Sequence, residues 1–107
     1  MQYQFFPNLL TMISEIPPDS IVSRTFYQDD QLRAVLFGFA PGQELSEHTA
    51  SVPATIHILE GEAKLIVGGD EMHGQAGTWV HMAAHLPHSL YALTPVIMLL
   101  LMEKKEV

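Results

Sequence analysis

A chain of 107 residues fits one domain near the lower end of what buries its own core, so pairing with a second copy is a natural way to add buried surface. Twelve acids against five bases give a net charge of −7, and the bases Arg24, Arg33, Lys64, Lys104 and Lys105 form no patch; this argues against nucleic acid and anionic membrane, which need clustered positive charge. A hydrophobic share of 48 % argues against disorder, and the absence of cysteine excludes disulfides, thiolate metal sites and cysteine nucleophiles.

The first residues, Met1-Gln2-Tyr3-Gln4-Phe5-Phe6-Pro7, carry no basic leader, and the longest apolar run, residues 96–102, is too short to span a bilayer. The expectation is a soluble, unprocessed, cytoplasmic protein. Residues 5–16 are read as a short helix or an irregular arm, ended by Pro17-Pro18-Asp19 because proline cannot donate to a helix or ladder. Residues 21–28, rich in Ile, Val, Thr, Phe and Tyr, predict a strand, and Asp29-Asp30 turns it into a second strand over residues 32–40. Pro41-Gly42 breaks the chain again. Residues 55–59, 62–67 and 78–82 follow as strands, punctuated by Gly61, Gly68-Gly69-Asp70 and Gly77, and residues 88–93 and 96–102 complete the set across Thr94-Pro95. Short strands at regular spacing with glycine at the corners predict an antiparallel sandwich or barrel.

His81 and His85 stand four residues apart, the spacing at which a helix presents a zinc pair. The glutamate of a helical zinc protease is missing, and Gly77, Trp79-Val80 and Pro87 favour a strand running into a turn. No serine sits in a nucleophile elbow, no glycine loop cradles phosphate, and no carboxylates pair at a suggestive spacing.

Two stretches carry a more specific pattern. Residues 41–62 read P-G-Q-E-L-S-E-H-T-A-S-V-P-A-T-I-H-I-L-E-G-E, and residues 77–88 read G-T-W-V-H-M-A-A-H-L-P-H. They resemble the two motifs of the cupin family. Gly42, His48 and Gly61 fall in register with the first motif, while Ala50 and Ala54 stand where its second His and its Glu would be. Gly77 and His88 fit the second, with Ala83, His85 and Ala92 replacing or displacing the rest. The resemblance spans roughly residues 32–102, and His48-Thr49-Ala50 matches the reduced motif of the small stand-alone bacterial cupins of the conserved-barrel, RmlC-like type. It implies an all-β chain: an antiparallel jelly-roll β-barrel over residues 20–103 with an N-terminal arm or helix over residues 1–18, in one domain of residues 1–107.

The resemblance makes His48 and His88 metal-ligand positions from strands that face each other across the barrel mouth. An imidazole offers a neutral nitrogen to Zn²⁺, Ni²⁺, Fe²⁺ or Mn²⁺, but three histidines and a carboxylate give such sites their affinity. Two histidines leave most positions to water, unless Glu44, His85 or His57 supplies a third ligand. The competing reading is that His48 and His88 line a polar spot in an apolar pocket. Strand alternation puts Glu44, Ser46 and Ala50 on the face of His48 if that strand is regular, turns Ala54, Ile56 and Ile58 inward with Val80 and Met82, and turns His57 and His81 outward. Ile56, Ile58, Val80 and Met82 are thus the expected pocket lining. His73 is placed near the turn before Gly77 and His85 in the turn before Pro87, and these two, with His57 and His81, read as solvated or interface histidines.

Two functions follow from this reading. One is a barrel that binds a small organic ligand with weak metal or none; the other is a divalent-metal-dependent enzyme of oxygenase or isomerase type that uses His48 and His88. A homodimer is expected in either case, with residues 1–6 and 21–28 as contributors.

Overall fold

The computed structural model describes residues 2–104. Among them are nine strands: β1 (Ile21–Gln28), β2 (Leu32–Phe39), β3 (Glu44–His48), β4 (Ala54–Glu60), β5 (Glu62–Val67), β6 (Asp70–Gln75), β7 (Trp79–Met82), β8 (His88–Ala92) and β9 (Val96–Glu103). The arm contains one turn of 3₁₀-helix, Leu9–Met12, whose first amides are met by Asn8: its side-chain oxygen accepts from the Leu10 N–H at 3.0 Å. Met1, part of the expected dimer contact, lies outside the described residues.

Two strands escape a reading by propensity. β6 reads Asp-Glu-Met-His-Gly-Gln and β3 reads Glu-Leu-Ser-Glu-His, with no β-branched residue in either. Pairing supplies what propensity does not. The Gly68-Gly69 turn folds β6 back along the whole of β5, so His73 sits within a strand opposite Lys64 rather than near a turn.

The strands form two antiparallel sheets, ordered β1-β2-β9-β4-β7 and β3-β8-β5-β6. Alternation gives each an apolar inner face, and these faces meet in one core that includes Phe39, Ile56, Ile58, Leu65, Leu90 and Met98. The approach is closest where β6 crosses β4, since a Cβ on Gly74 would come within 2.6 Å of Ile58 Cδ1. At the β4–β5 corner Gly61 has φ +93°, and a side chain there would meet the Pro95 carbonyl oxygen at 2.0 Å.

The five-stranded sheet is covered on its outer face as well. Ala34, Leu36 and Ile97 point away from the core, yet they are 3 %, 0 % and 5 % exposed because the N-terminal arm lies over that side of the sheet. Ile16 packs against Gly38, Phe6 meets Phe26 edge-to-face at 5.1 Å, and Arg24 Nη1 donates to the Met12 carbonyl at 3.2 Å. Burial on both faces explains why β9 is apolar from residue 96 to residue 102 without alternation.

Register and connectivity define one end of the molecule. There β3 runs into β4, β7 into β8, β5 turns into β6, β1 turns into β2, and β9 finishes. His48 and His88 lie at this end.

Candidate functional site

β3 brings His48 to its position through a bulge. Leu45 stands opposite Leu90 and His48 opposite His88, so three steps along β3 match two along β8. The extra residue puts Leu45 and His48 on the same inner face. It also overturns the expectation for Glu44, which assumed a regular strand: Glu44 pairs with Tyr91 on the outer face, beside Lys64.

The two imidazoles meet. Their centroids are 4.3 Å apart at an interplanar angle of 60°, with His88 only 7 % exposed and His48 open to solvent. His48 Nδ1 lies 2.9 Å from the Ser46 carbonyl oxygen, and His88 Nδ1 lies 2.9 Å from that of Leu86. A carbonyl only accepts, so each Nδ1 carries the hydrogen and donates it. In the neutral ring each Nε2 is then left with a free lone pair. The backbone thus sets the tautomer of both rings, and each of the two neighbouring rings keeps one acceptor nitrogen.

No third ligand joins them. His85 lies in the loop after β7 with φ +69°, and its amide donates to the Ala50 carbonyl at 2.7 Å, which ties the loops on either side of the pair together. His57 pairs with Trp79 and Leu99 on the outer face of the other sheet. Among the described residues no three His, Asp or Glu side chains gather where they could hold a metal ion. His81 bonds to Thr55 Oγ1 at 2.9 Å, and His73 sits 3.2 Å from Glu62 on the outer face.

Beneath the pair the interior is apolar. Ile56 stands opposite Val80 and Ala54 opposite Met82, all facing inward; Ile56, Ile58 and Met82 belong to the buried core, and Val80 packs against it. Grooves open elsewhere. One of about 420 Å³ lies between the arm and the first sheet and is lined by Phe6, Leu9, Phe26 and Leu99 among others. Another of about 330 Å³ lies on the outer face of the second sheet around Lys64, His73, Tyr91 and Leu93.

Over residues 35–102 the chain matches the family described as Cupin domain. It belongs to the cupin family. A conserved protein of unknown function, SPY1581 from Streptococcus pyogenes, is similar at 29 % identity and a TM-score of 0.85, covering 100 % of this chain and 93 % of that one. A cupin 2 conserved barrel domain protein from Leptotrichia buccalis is similar at 28 % identity and a TM-score of 0.83, covering 91 % of this cupin and 47 % of that chain. A cupin superfamily protein from Desulfitobacterium hafniense, DSY2733, shares the fold at 24 % identity and a TM-score of 0.85, with 98 % and 94 % covered. No curated protein matches.

Cupins often bind a divalent metal, which the motif resemblance puts at this pair, and the residues here fit such an ion in part. The two Nε2 lone pairs supply two coordination positions. Ala50 and Ala54 stand where the motif has its other ligands, and a methyl group donates nothing. Among the described residues no helix is long and apolar enough to cross a membrane.

One functional candidate went unseen in the sequence. Arg33 stands opposite Met102 and Gln28, on the inner face shared with Phe37 and Phe39, at the same end as the histidine pair. The alternation that turns Phe37 and Phe39 inward was the available signal.

Proposed function

We propose that this cupin binds a small organic ligand at the open end of its two-sheet interior, holding the ligand's polar group on His48 and His88 and its apolar part over the core, with weak metal binding or none. The observation that carries this is the imidazole pair: two rings 4.3 Å apart, each fixed by a backbone carbonyl, with no third ligating side chain among the described residues. Such a pair accepts hydrogen bonds from a hydroxyl or amide, and the apolar surroundings strengthen them. Two antiparallel sheets that share one core, with β3 following β2 across a four-residue link from one sheet to the other, support reading the interior as a jelly-roll barrel. The lack of cysteine supports a cytoplasmic setting. Pairing of two copies is proposed through residues 2–6 and the edge strand β1, where Tyr3 and Phe5 are exposed.

The second reading, a metal-dependent enzyme of oxygenase or isomerase type, is favoured by one feature. Metal-ligating histidines are commonly oriented by an Nδ1–H donated to a carbonyl, as both are here. A divalent ion bound there would supply Lewis-acid polarisation of a substrate oxygen. Calorimetric titration of Zn²⁺ and Ni²⁺ into tag-free protein separates the readings. Weak binding that His48→Ala abolishes, and that Ala50→His with Ala54→Glu strengthens at least a hundredfold, supports the binding barrel. A stoichiometric ion that survives dialysis in the parent contradicts it.

A further inference from the structure

We propose that Arg33 is the anion anchor of the site at the histidine pair, so that the ligand class is a small organic carboxylate carrying a hydroxyl next to the carboxyl. The inference rests on the proposed binding site at the histidine pair. Arg33 pairs with Met102, Met102 with Ala54, and Ala54 with Met82, an inward-facing row across the five-stranded sheet at the open end. His48, His88 and Val67 form the matching row on the other sheet.

Layer order then decides which members of the two rows are close. β6 packs over β4, where Gly74 meets Ile58, and only four residues join the end of β2 to the start of β3, so the second sheet runs in the order β6-β5-β8-β3 across the first with β3 on the side of β2. Arg33 on β2 and His48 on β3 therefore share one side of the opening. Asp70, which shares the face of Val67 at this end, belongs to the opposite edge strand β6.

Chemistry supplies the rest. The remaining described bases stand elsewhere: Arg24 reaches the arm, Lys64 lies on an outer face, and Lys104 follows β9 beside the β1–β2 turn. Among the described residues Arg33 makes no ion pair; its Nη2 donates to Thr25 Oγ1 at 3.3 Å, which orients the guanidinium along the inner face. An inward, solvent-accessible guanidinium with no carboxylate partner among the described residues is a bidentate carboxylate receptor. In a protein of net charge −7, one such group at the opening selects for position rather than for general attraction. The two Nε2 acceptors alongside call for a donor, and a hydroxyl on the neighbouring carbon supplies it.

The probe pair is lactate and its neutral isostere lactamide, titrated into ¹⁵N-labelled protein while the His48 and His88 ring resonances and the Arg33 side chain are followed. Lactate is expected to shift all three and to bind at least tenfold more tightly than lactamide. Arg33→Gln should remove that preference, leaving lactamide binding unchanged, and Arg33→Lys should restore part of it. Equal binding of the two probes at the histidines, or an undiminished preference in Arg33→Gln, overturns the assignment of Arg33 and leaves the histidine site standing. Absence of any shift at the histidine rings with either probe sinks the carboxylate class and the histidine site together.

Discussion

One extra residue in β3 decides which side chains reach the candidate site. With a regular strand, Glu44 would share the face of His48; with the bulge, Leu45 does, and the carboxylate is lost to the outer surface. This is also why the site was only half legible. The two histidines could be read from motif spacing, but a bulge leaves no mark in a run such as Glu-Leu-Ser-Glu-His. Close by, at the β1–β2 turn, Asp29 shows how a local bond shifts a titration. The Tyr27 hydroxyl donates to Asp29 Oδ2 at 2.5 Å, the Gln31 and Leu32 amides donate to Oδ1 at 2.8 Å, and together, the hydroxyl foremost, they hold the Asp29 carboxyl below its ordinary range. A folded-state value below the unfolded one means that the contribution to stability is present above the unfolded pKa and is lost as pH falls through the folded one. Tyr27→Phe should therefore move the Asp29 titration upward toward the ordinary carboxylate value, measured by carboxyl ¹³C NMR. An unchanged midpoint would mean that the two amides alone set it.

Among the elements, the arm departs furthest from what composition suggests. Residues 5–16 could be read as a helix or an irregular stretch; they form an extended cover with a single 3₁₀ turn, because what they meet is a flat apolar sheet face. The run at residues 96–102 pointed to a strand, but which of its faces was covered, and by what, is a tertiary fact. Leu36 tests the cover directly. It faces away from the core yet is fully buried, so Leu36→Ala should cost about 2–5 kcal/mol in urea unfolding, the range of an interior leucine. A cost within about 0.5 kcal/mol, typical of a surface position, would mean that the arm does not stay in place in solution. β6 was the element missed outright, since its Asp, His, Gly and Gln carry no strand preference and only its pairing with β5 makes it a strand.

At the scale of the whole molecule, glycine placement and strand spacing carried the class of fold. Gly61 is required where the chain passes against the Pro95 carbonyl, so its motif position reports a steric constraint that any sequence with this corner must meet. The chemistry did not come through as clearly, because it depends on how the rows of two sheets oppose each other. Arg33 shows this: it is one scattered base in the sequence and, in the fold, a charge on the inner face at the same end as the histidines. The central claim is that the imidazole pair at the open end is where this cupin holds its ligand. Long-range ¹H–¹⁵N spectra of the histidine rings at pH 8, recorded against a panel of small polar fragments, test it most directly. His48 and His88 should both show a protonated Nδ1 and a bare Nε2, and fragments that bind should shift the two rings together. Fragments that bind the groove around Phe6 and Leu99 while leaving both rings unmoved would contradict the account.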